Sequence, residues 1–463
     1  MIRLFKVFIP VGTLTLLVSE VLLVTSAFIF ATYVVLEVDP TVFLLYDGGL
    51  FRISLVLLSI IVGLHFHDLY SQIHVKSRIV LAQQLCLVMG VAFLTQGLIA
   101  YADSNLRVPI RVMVVGSSLA VIAIFFWRIL FSAFALQVVG RDRILLVGGS
   151  PLLEDIGQFI ADHPESGLEV AGYLDDRHPI GAPLPGGKIL GNMESLRDIV
   201  RTTQPHRIVV GMFERRNRMP VSELLELRFA GNVIEEVANT YERVCGRVCL
   251  KEIRPSQLIF SGELGPRPQN LLYQRITNVI AAVIGIVLSF PLMLLTALAV
   301  RLSSPGPVLY RQTRVGLDDT LFTVYKFRSM RVDAETGTGP VWAQKDDPRV
   351  TTVGRIIRRI RFDELPQLFN VLRGEMSMVG PRPERPEFVK ALNEQIPYYR
   401  QRHCVRPGIT GWAQISYKYG DTLEDTITKL EYDLYYIKNM STSLDTYIIF
   451  HTLKAMLLSR GAQ

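Results

Sequence analysis

The chain has 463 residues, of which 49% are hydrophobic and 20% charged, with a formal net charge of +7 and a mean hydropathy of +0.31. It is too apolar for an ordinary soluble protein, so membrane segments joined to soluble domains are expected. The basic excess admits nucleic acid, an anionic lipid surface or phosphorylated substrates, and the long apolar segments favour the last two.

In chain order, apolar stretches at residues 7–36, 48–66, 79–101 and 108–134 come first. Each approaches or exceeds the ~20 residues a helix needs to cross a bilayer, so residues 1–138 are predicted to form a four-helix transmembrane bundle. The first stretch is too long for a signal-peptide core and precedes further spans, so it is expected to be retained. Arg3 and Lys6, Lys76 and Arg78, and Arg141 and Arg143 fall at alternate ends, whereas residues 37–49 carry no Lys or Arg. The positive-inside rule then puts both ends of the bundle in the cytoplasm. Arg52, Arg107 and Arg111 run against this bias, but all three sit near helix ends, where long basic side chains reach the interface. Glu20 lies inside the first span. An intramembrane carboxylate is a functional candidate because burying its charge is expensive; protonation or pairing with another helix is the structural alternative.

From Arg143 the pattern changes to a strand at 144–147, a Gly148-Gly149 turn and a helix at 152–161, with further strands at 170–174 and 208–210. Residues 139–254 are therefore predicted to form a Rossmann-like α/β domain. The two glycines follow a strand as in a nucleotide-binding turn, but the G-x-G-x-x-G spacing is absent, so a structural or regulatory module is expected. Cys245 and Cys249 lack the second Cys or His pair of a zinc site, and with Cys86 and Cys404 they suggest no disulfide framework. Residues 255–270, with Gly262, Gly265, Pro266 and Pro268, read as a linker.

A fifth apolar run, 276–300, is flanked by Arg275 and Arg301 and contains Ser289 and Pro291. Proline removes a backbone donor, and a nearby serine can satisfy a freed group. A bent helix entering and leaving on one side and a kinked crossing helix both fit this pattern. The basic remainder of the chain suits the cytoplasm, which the bent form provides.

The segment after it is rich in cations: Arg311, Lys326, Arg328, Arg355, Arg358, Arg359 and Arg361 precede Phe362-Asp363-Glu364-Leu365-Pro366-Gln367-Leu368. Asp363 is placed as a helix N-cap with Glu364 in the first turn. Adjacent carboxylates among arginines suit phosphoryl transfer, one as nucleophile and one as Mg²⁺ ligand, although the same spacing is common on structural helices. Val379-Gly380-Pro381-Arg382-Pro383 holds an arginine between rigid prolines, and Arg406-Pro407-Gly408-Ile409-Thr410-Gly411-Trp412-Ala413-Gln414 combines a cation, a glycine-rich turn and an aromatic ring suited to a nucleotide. Near the C-terminus, Leu430, Leu434, Ile437, Tyr432, Tyr435 and Tyr436 offer either an interfacial surface or a core helix.

These segments occur in the order seen in the bacterial sugar transferase family, the monotopic phosphoglycosyl transferases, which residues 271–463 resemble. The pieces are the Ser/Pro-interrupted membrane helix, Tyr325-Lys326-Phe327-Arg328-Ser329-Met330, Asp363-Glu364-Leu365-Pro366-Gln367-Leu368, and the two motifs around Arg382 and Arg406. The resemblance implies a mainly α-helical catalytic domain with a re-entrant membrane helix at 276–300, following the bundle and the Rossmann-like domain. It implies Asp363 as nucleophile and Glu364 as Mg²⁺ ligand, with Lys326, Arg328, Arg358, Arg382 and Arg406 on phosphate or uridine diphosphate, and the membrane break at Ser289 and Pro291. Pro291 stands two residues after Ser289 instead of next to it, which leaves the local geometry of the bend open. The implied reaction transfers a hexose-1-phosphate from a UDP-sugar to undecaprenyl phosphate at the cytoplasmic side of a bacterial inner membrane. No nucleic-acid partner is expected, and a homo-oligomer is compatible. Two other functions fit the domain pattern. A membrane-anchored nucleotide-sugar dehydratase requires a Tyr-x-x-x-Lys pair and a complete glycine fingerprint, which are missing, and a non-catalytic scaffold has no need of both carboxylates with all the cations.

Overall fold

The computed structural model describes residues 2–4, 7–9, 11–67, 69–70, 77–138, 142–211, 220–250, 268–332, 334, 347–417 and 422–457. Lys6, Lys76, Arg141 and the linker up to residue 267 lie outside them. The described chain has five helices long and apolar enough to cross a membrane, and the protein is a membrane protein. It groups into two compact units that divide between Val237 and Ala238, so residues 238–250, expected to end the α/β domain, belong with the C-terminal unit.

Helices Val11–Val35, Gly49–Phe66, Arg78–Ala102 and Ile110–Val138 form the bundle. On the first, the buried positions Leu16, Glu20, Val24, Phe28 and Ala31 recur every three or four residues and form one face. Ile53, Val56 and Ile60, Leu81, Leu85 and Val88, and Val112, Ala120 and Ile124 supply the facing core, while Leu22, Phe30, Leu58, Leu94 and Phe126 point outward. Lipid is as apolar as this core, so close packing must hold the helices together. Gly116 lies against the Phe28 ring, where a Cβ would collide with it.

Glu20 is paired across helices. Its carboxylate meets the Arg128 Nε at 2.6 Å, with side-chain exposures of 0% and 3%. Arg128 also donates to Glu20 Oε2 at 3.0 Å and to the Leu69 carbonyl at 2.6 Å, and its guanidinium lies over the Tyr70 ring. At the other end of the bundle Arg52 donates to the carbonyls of Asp47 and Arg107, and Arg111 pairs with Glu37.

The following domain is built on a six-stranded sheet in the spatial order Pro183–Leu184, Gly187–Gly191, Leu168–Leu174, Asp142–Val147, Arg207–Val210, Val233–Glu236. Only the first pair is antiparallel. The five parallel strands therefore stand in the chain order 3-2-1-4-5. Helices Pro151–Asp162, Leu196–Thr203 and Val221–Phe229 lie between strands in sequence, and Ile144 to Val147 are wholly buried, as a strand covered on both faces requires.

The C-terminal unit is mainly helical. Its 36-residue helix, Pro268–Ser303, runs continuously with Pro291 inside it. One face is buried along its length. Gln274 donates to Tyr436 and Asp445, Asn278 donates to Ser377 and accepts from the Met378 amide, Ala282 packs with Leu368 and Val371, and Met293 and Val300 pack with Phe327 and Ile357. The opposite face exposes Leu272, Val287, Leu288, Leu295 and Leu302. The Ser289 hydroxyl donates to the Gly285 carbonyl at 2.6 Å, whereas the carbonyl that Pro291 leaves without an i+4 donor is that of Val287.

Strands Leu309–Val315 and Leu321–Phe327 form an antiparallel hairpin, and Ser377–Val379 pairs in parallel with Gly408–Thr410. Helices Thr352–Arg359, Gln367–Arg373, Pro386–Gln395, Leu423–Asn439 and Thr442–Leu457 surround them. In Leu423–Asn439, Leu430, Leu434, Tyr435, Tyr436 and Ile437 are all buried and make the domain core with Val379 and Trp412. These five side chains offer no interfacial surface, because they are buried in that core, and Tyr432 is partly buried against it.

Candidate active site

Asp363 and Glu364 sit in a single 3₁₀ turn, Phe362–Glu364, between helices Thr352–Arg359 and Gln367–Arg373. The residue before it, Arg361, has φ 57°, a left-handed conformation that costs a side-chain-bearing residue energy and that surrounding structure must enforce. Asp363 is not an N-cap: the seven-residue helix starts after Pro366 with no side-chain cap. The turn instead directs both carboxylates into the domain, where each residue is 8% exposed.

Three cations converge on Glu364. Its Oε1 accepts from Lys326 Nζ at 2.9 Å and from Arg382 Nη2 at 2.8 Å, and Oε2 lies 3.8 Å from Arg361. Burial disfavours the charge, but Lys326, Arg382 and Arg361 outweigh it and hold the carboxyl well below its usual range. Asp363 differs. Burial, then the neighbouring Glu364 charge, push its carboxyl above the usual range, against the attraction of Lys326, Arg358 and Arg382, with no hydrogen bond among these influences. Of two adjacent carboxylates, one is held in ion pairs and the other has no hydrogen bond among the described residues.

The supports of these cations are visible. Lys326 is on hairpin strand Leu321–Phe327, where the two-residue period turns it away from the buried side of Phe327. Arg382 follows strand Ser377–Val379, whose parallel partner Gly408–Thr410 belongs to the motif of Arg406, so these two motifs are zipped together. The Gly380 amide donates to Thr410 and the Gly408 amide to Pro381. Arg402, buried against Asp433 and Tyr399, donates to the Arg382 carbonyl at 3.0 Å.

Two expected phosphate ligands have other work. Arg328 is 6% exposed and donates to the carbonyls of Ser304 and Pro305 and to the Ser304 hydroxyl, pinning the turn that follows the long helix. Arg406 donates through Nε to the Gly374 carbonyl at 2.9 Å, closing the C-terminus of the helix Gln367–Arg373. Trp412 is likewise structural. It stacks on Tyr435 and its indole N–H donates to Gly246 at 2.8 Å, so it is not an open nucleotide platform. In the sequence Arg361 stands among the local cations without a role and Arg402 carries no signal; a basic residue two positions before Asp363 is the available signal for the first.

Residues 269–459 match the model of a family described as bacterial sugar transferase. A UDP-glucose:undecaprenyl-phosphate glucose-1-phosphate transferase of Xanthomonas campestris pv. campestris is 34% identical over 334 residues, 70% of this chain and 69% of that one.

This chain belongs to the bacterial sugar transferase family.

A protein of the same description from Escherichia coli (strain K12) is 35% identical over 68% of this sugar transferase and 67% of its own length. The UDP-N-acetylgalactosamine-undecaprenyl-phosphate N-acetylgalactosaminephosphotransferase of Aeromonas hydrophila is 48% identical over 222 residues, which span 52% of that relative. An alignment of 334 residues exceeds the family match, so the likeness reaches beyond the C-terminal unit.

Proposed function

We propose that this sugar transferase moves a hexose-1-phosphate from a UDP-sugar to undecaprenyl phosphate at the cytoplasmic face of a bacterial inner membrane, as a first membrane step in exopolysaccharide, capsule or O-antigen synthesis. The observation that carries this reading is the asymmetric pair: Glu364 in ion pairs, Asp363 with no hydrogen bond among the described residues, both inside a cationic cluster. The named activities of the relatives agree with it.

In this mechanism an Asp363 oxygen attacks the phosphorus that carries the sugar. The bond to the uridine monophosphate oxygen breaks and uridine monophosphate leaves, giving a phosphosugar-aspartate. A phosphate oxygen of undecaprenyl phosphate then attacks the same phosphorus and expels the Asp363 carboxylate. The sugar's own bond to oxygen is never broken. Lys326, Arg358 and Arg382 face the charge that develops on the phosphoryl oxygens.

Mg²⁺ is an ion held by one or two carboxylates together with substrate phosphates. Glu364 would hold that ion through Oε2, the oxygen outside the Lys326 and Arg382 contacts and 3.8 Å from Arg361, and the ion when bound supplies further neutralisation of the diphosphate.

The long helix is read as re-entrant. The buried side of Pro268–Ser303 touches its own catalytic domain from Gln274 to Val300, whereas the midpoint of an isolated crossing helix would meet lipid alone. Its apolar outer face then lies in one leaflet and holds Asp363 near headgroup depth. The α/β domain is read as Rossmann-like, which the order 3-2-1-4-5 supports.

The test uses the full chain in nanodiscs with undecaprenyl phosphate and a panel of UDP-glucose, UDP-galactose and UDP-N-acetylgalactosamine. Uridine monophosphate release with one sugar, lost in excess chelator and restored by MgCl₂, is expected; no release with any UDP-sugar overturns the reading. Single cysteines at Leu272 and Leu302, in a background without native cysteines, should both react with a cytoplasmic reagent, and opposite-side labelling would restore a crossing helix.

A further inference from the structure

Asn370 takes no part in the chemistry above, yet it is 0% exposed and every polar atom of its side chain is engaged. Its Oδ1 accepts from the Tyr325 amide at 3.2 Å. Its Nδ2 donates to the Thr323 carbonyl and to Glu375 Oε2, both at 2.7 Å. Tyr325 and Thr323 lie on strand Leu321–Phe327, which among the described residues has a single hydrogen-bonded strand partner, Leu309–Val315. A strand in a two-stranded sheet leaves a row of amides and carbonyls on its outer edge that must find partners when buried. One asparagine amide, with a donor and an acceptor in one plane, meets two of those groups as a third strand would.

The consequence concerns the active site, because each end of this contact leads directly to a reacting group. Lys326 is the residue after Tyr325. Asn370 lies on helix Gln367–Arg373, which leaves the turn carrying Asp363 and Glu364. The Lys326 ammonium meets Glu364 Oε1 at 2.9 Å, a contact made by a flexible side chain whose root must be held in register with the turn. The backbone carbonyl of Asn370 also accepts from the amides of Glu375 and Met376, which closes the same helix. We infer that Asn370 is a positioning residue that sets the register between the Lys326 strand and the Asp363–Glu364 turn, and so acts on turnover through Lys326. This rests on the transferase reading above.

The experiment is a double-mutant cycle on the full chain, with uridine monophosphate release as the signal. Asn370→Ala should lower kcat by about 10²-fold, the loss expected for a misplacement of order 1 Å, while KM for the UDP-sugar moves far less. Because the effect passes through Lys326, Asn370→Ala combined with Lys326→Ala should be little worse than Lys326→Ala alone. A purely structural asparagine gives losses that multiply, or a lower melting temperature with kcat unchanged; either overturns the inference.

Asn370→Asp keeps the acceptor for Tyr325 but sets a carboxylate against both the Thr323 carbonyl and Glu375. It should lower kcat by about tenfold or more, whereas Glu375→Gln, which leaves both strand contacts of Asn370 in place, should stay within about threefold of the parent. Loss in the first without loss in the second supports positioning through the strand contact, and unchanged kcat in Asn370→Asp overturns it, even if Asn370→Ala does not accumulate. A wild-type chain that releases no uridine monophosphate instead sinks the transferase reading itself, so the two failures are distinct.

Discussion

The bundle and the catalytic domain each bury acidic groups beside arginine, and they use the arrangement in opposite ways. In the bundle one carboxylate meets one guanidinium, and Arg128 directs its remaining contacts to the Leu69 carbonyl and the Tyr70 ring. The charge is neutralised within the protein, and little is left for a ligand. In the catalytic domain two carboxylates lie among Lys326, Arg358, Arg361 and Arg382, but only Glu364 is tied down. A closed pair stabilises a fold. A cluster of cations around a carboxylate with no hydrogen bond among the described residues is built for something that arrives.

The sharpest way to break this comparison is Asp363→Asn. It should reduce uridine monophosphate release by about 10⁴-fold or more while leaving the melting temperature unchanged or raised, since it removes a buried carboxyl with no hydrogen bond. Active protein would show that Asp363 is as structural as Glu20. Arg128→Met should do the reverse, costing roughly 3–5 kcal/mol by stranding Glu20, with turnover per folded molecule maintained; thermal denaturation in detergent checks the first and uridine monophosphate release the second.

A smaller effect is expected at Asp445, buried with hydrogen bonds from Tyr436 and Gln274. Burial pushes its carboxyl up to about 6 despite those bonds. The folded state thus binds this proton more tightly than the unfolded chain, whose carboxyl has a pKa of about 3.9. The resulting stabilisation is complete below about pH 4 and is lost as pH rises through about 6. Melting curves across that window should show the parent losing stability relative to Asp445→Asn, and parallel curves would exclude the assignment. The smallest change is Trp412→Phe, which removes one hydrogen bond to Gly246 and should cost about 1 kcal/mol, read from the same denaturation curves.

Legibility in the sequence followed the range of the forces involved. The four apolar helices of the bundle were readable because lipid demands an uninterrupted apolar length, a property local to each segment. Three of the five parallel strands were readable from short apolar runs between helices, whereas Gly187–Gly191 and Val233–Glu236, the latter with two adjacent glutamates, were missed. Asp363, Glu364, Lys326, Arg358 and Arg382 were all marked from motifs, and the structure brings them together. Arg328, Arg406 and Trp412 stood in the same motifs and bear on backbone carbonyls and the core instead. A motif records which residues a site needs, and it does not separate those that face the substrate from those that hold the walls.

The sequence by itself determined that this is a membrane protein, where its apolar segments lie, and which adjacent carboxylates stand among arginines. Those features depend on composition and spacing along the chain. Only the tertiary structure decided that Glu20 has a partner on another helix, that Asn370 completes a strand edge 45 residues away in sequence, and that Glu364 is paired while Asp363 is not. Each is set by the distance between groups far apart in sequence, a quantity that exists only once the chain has folded.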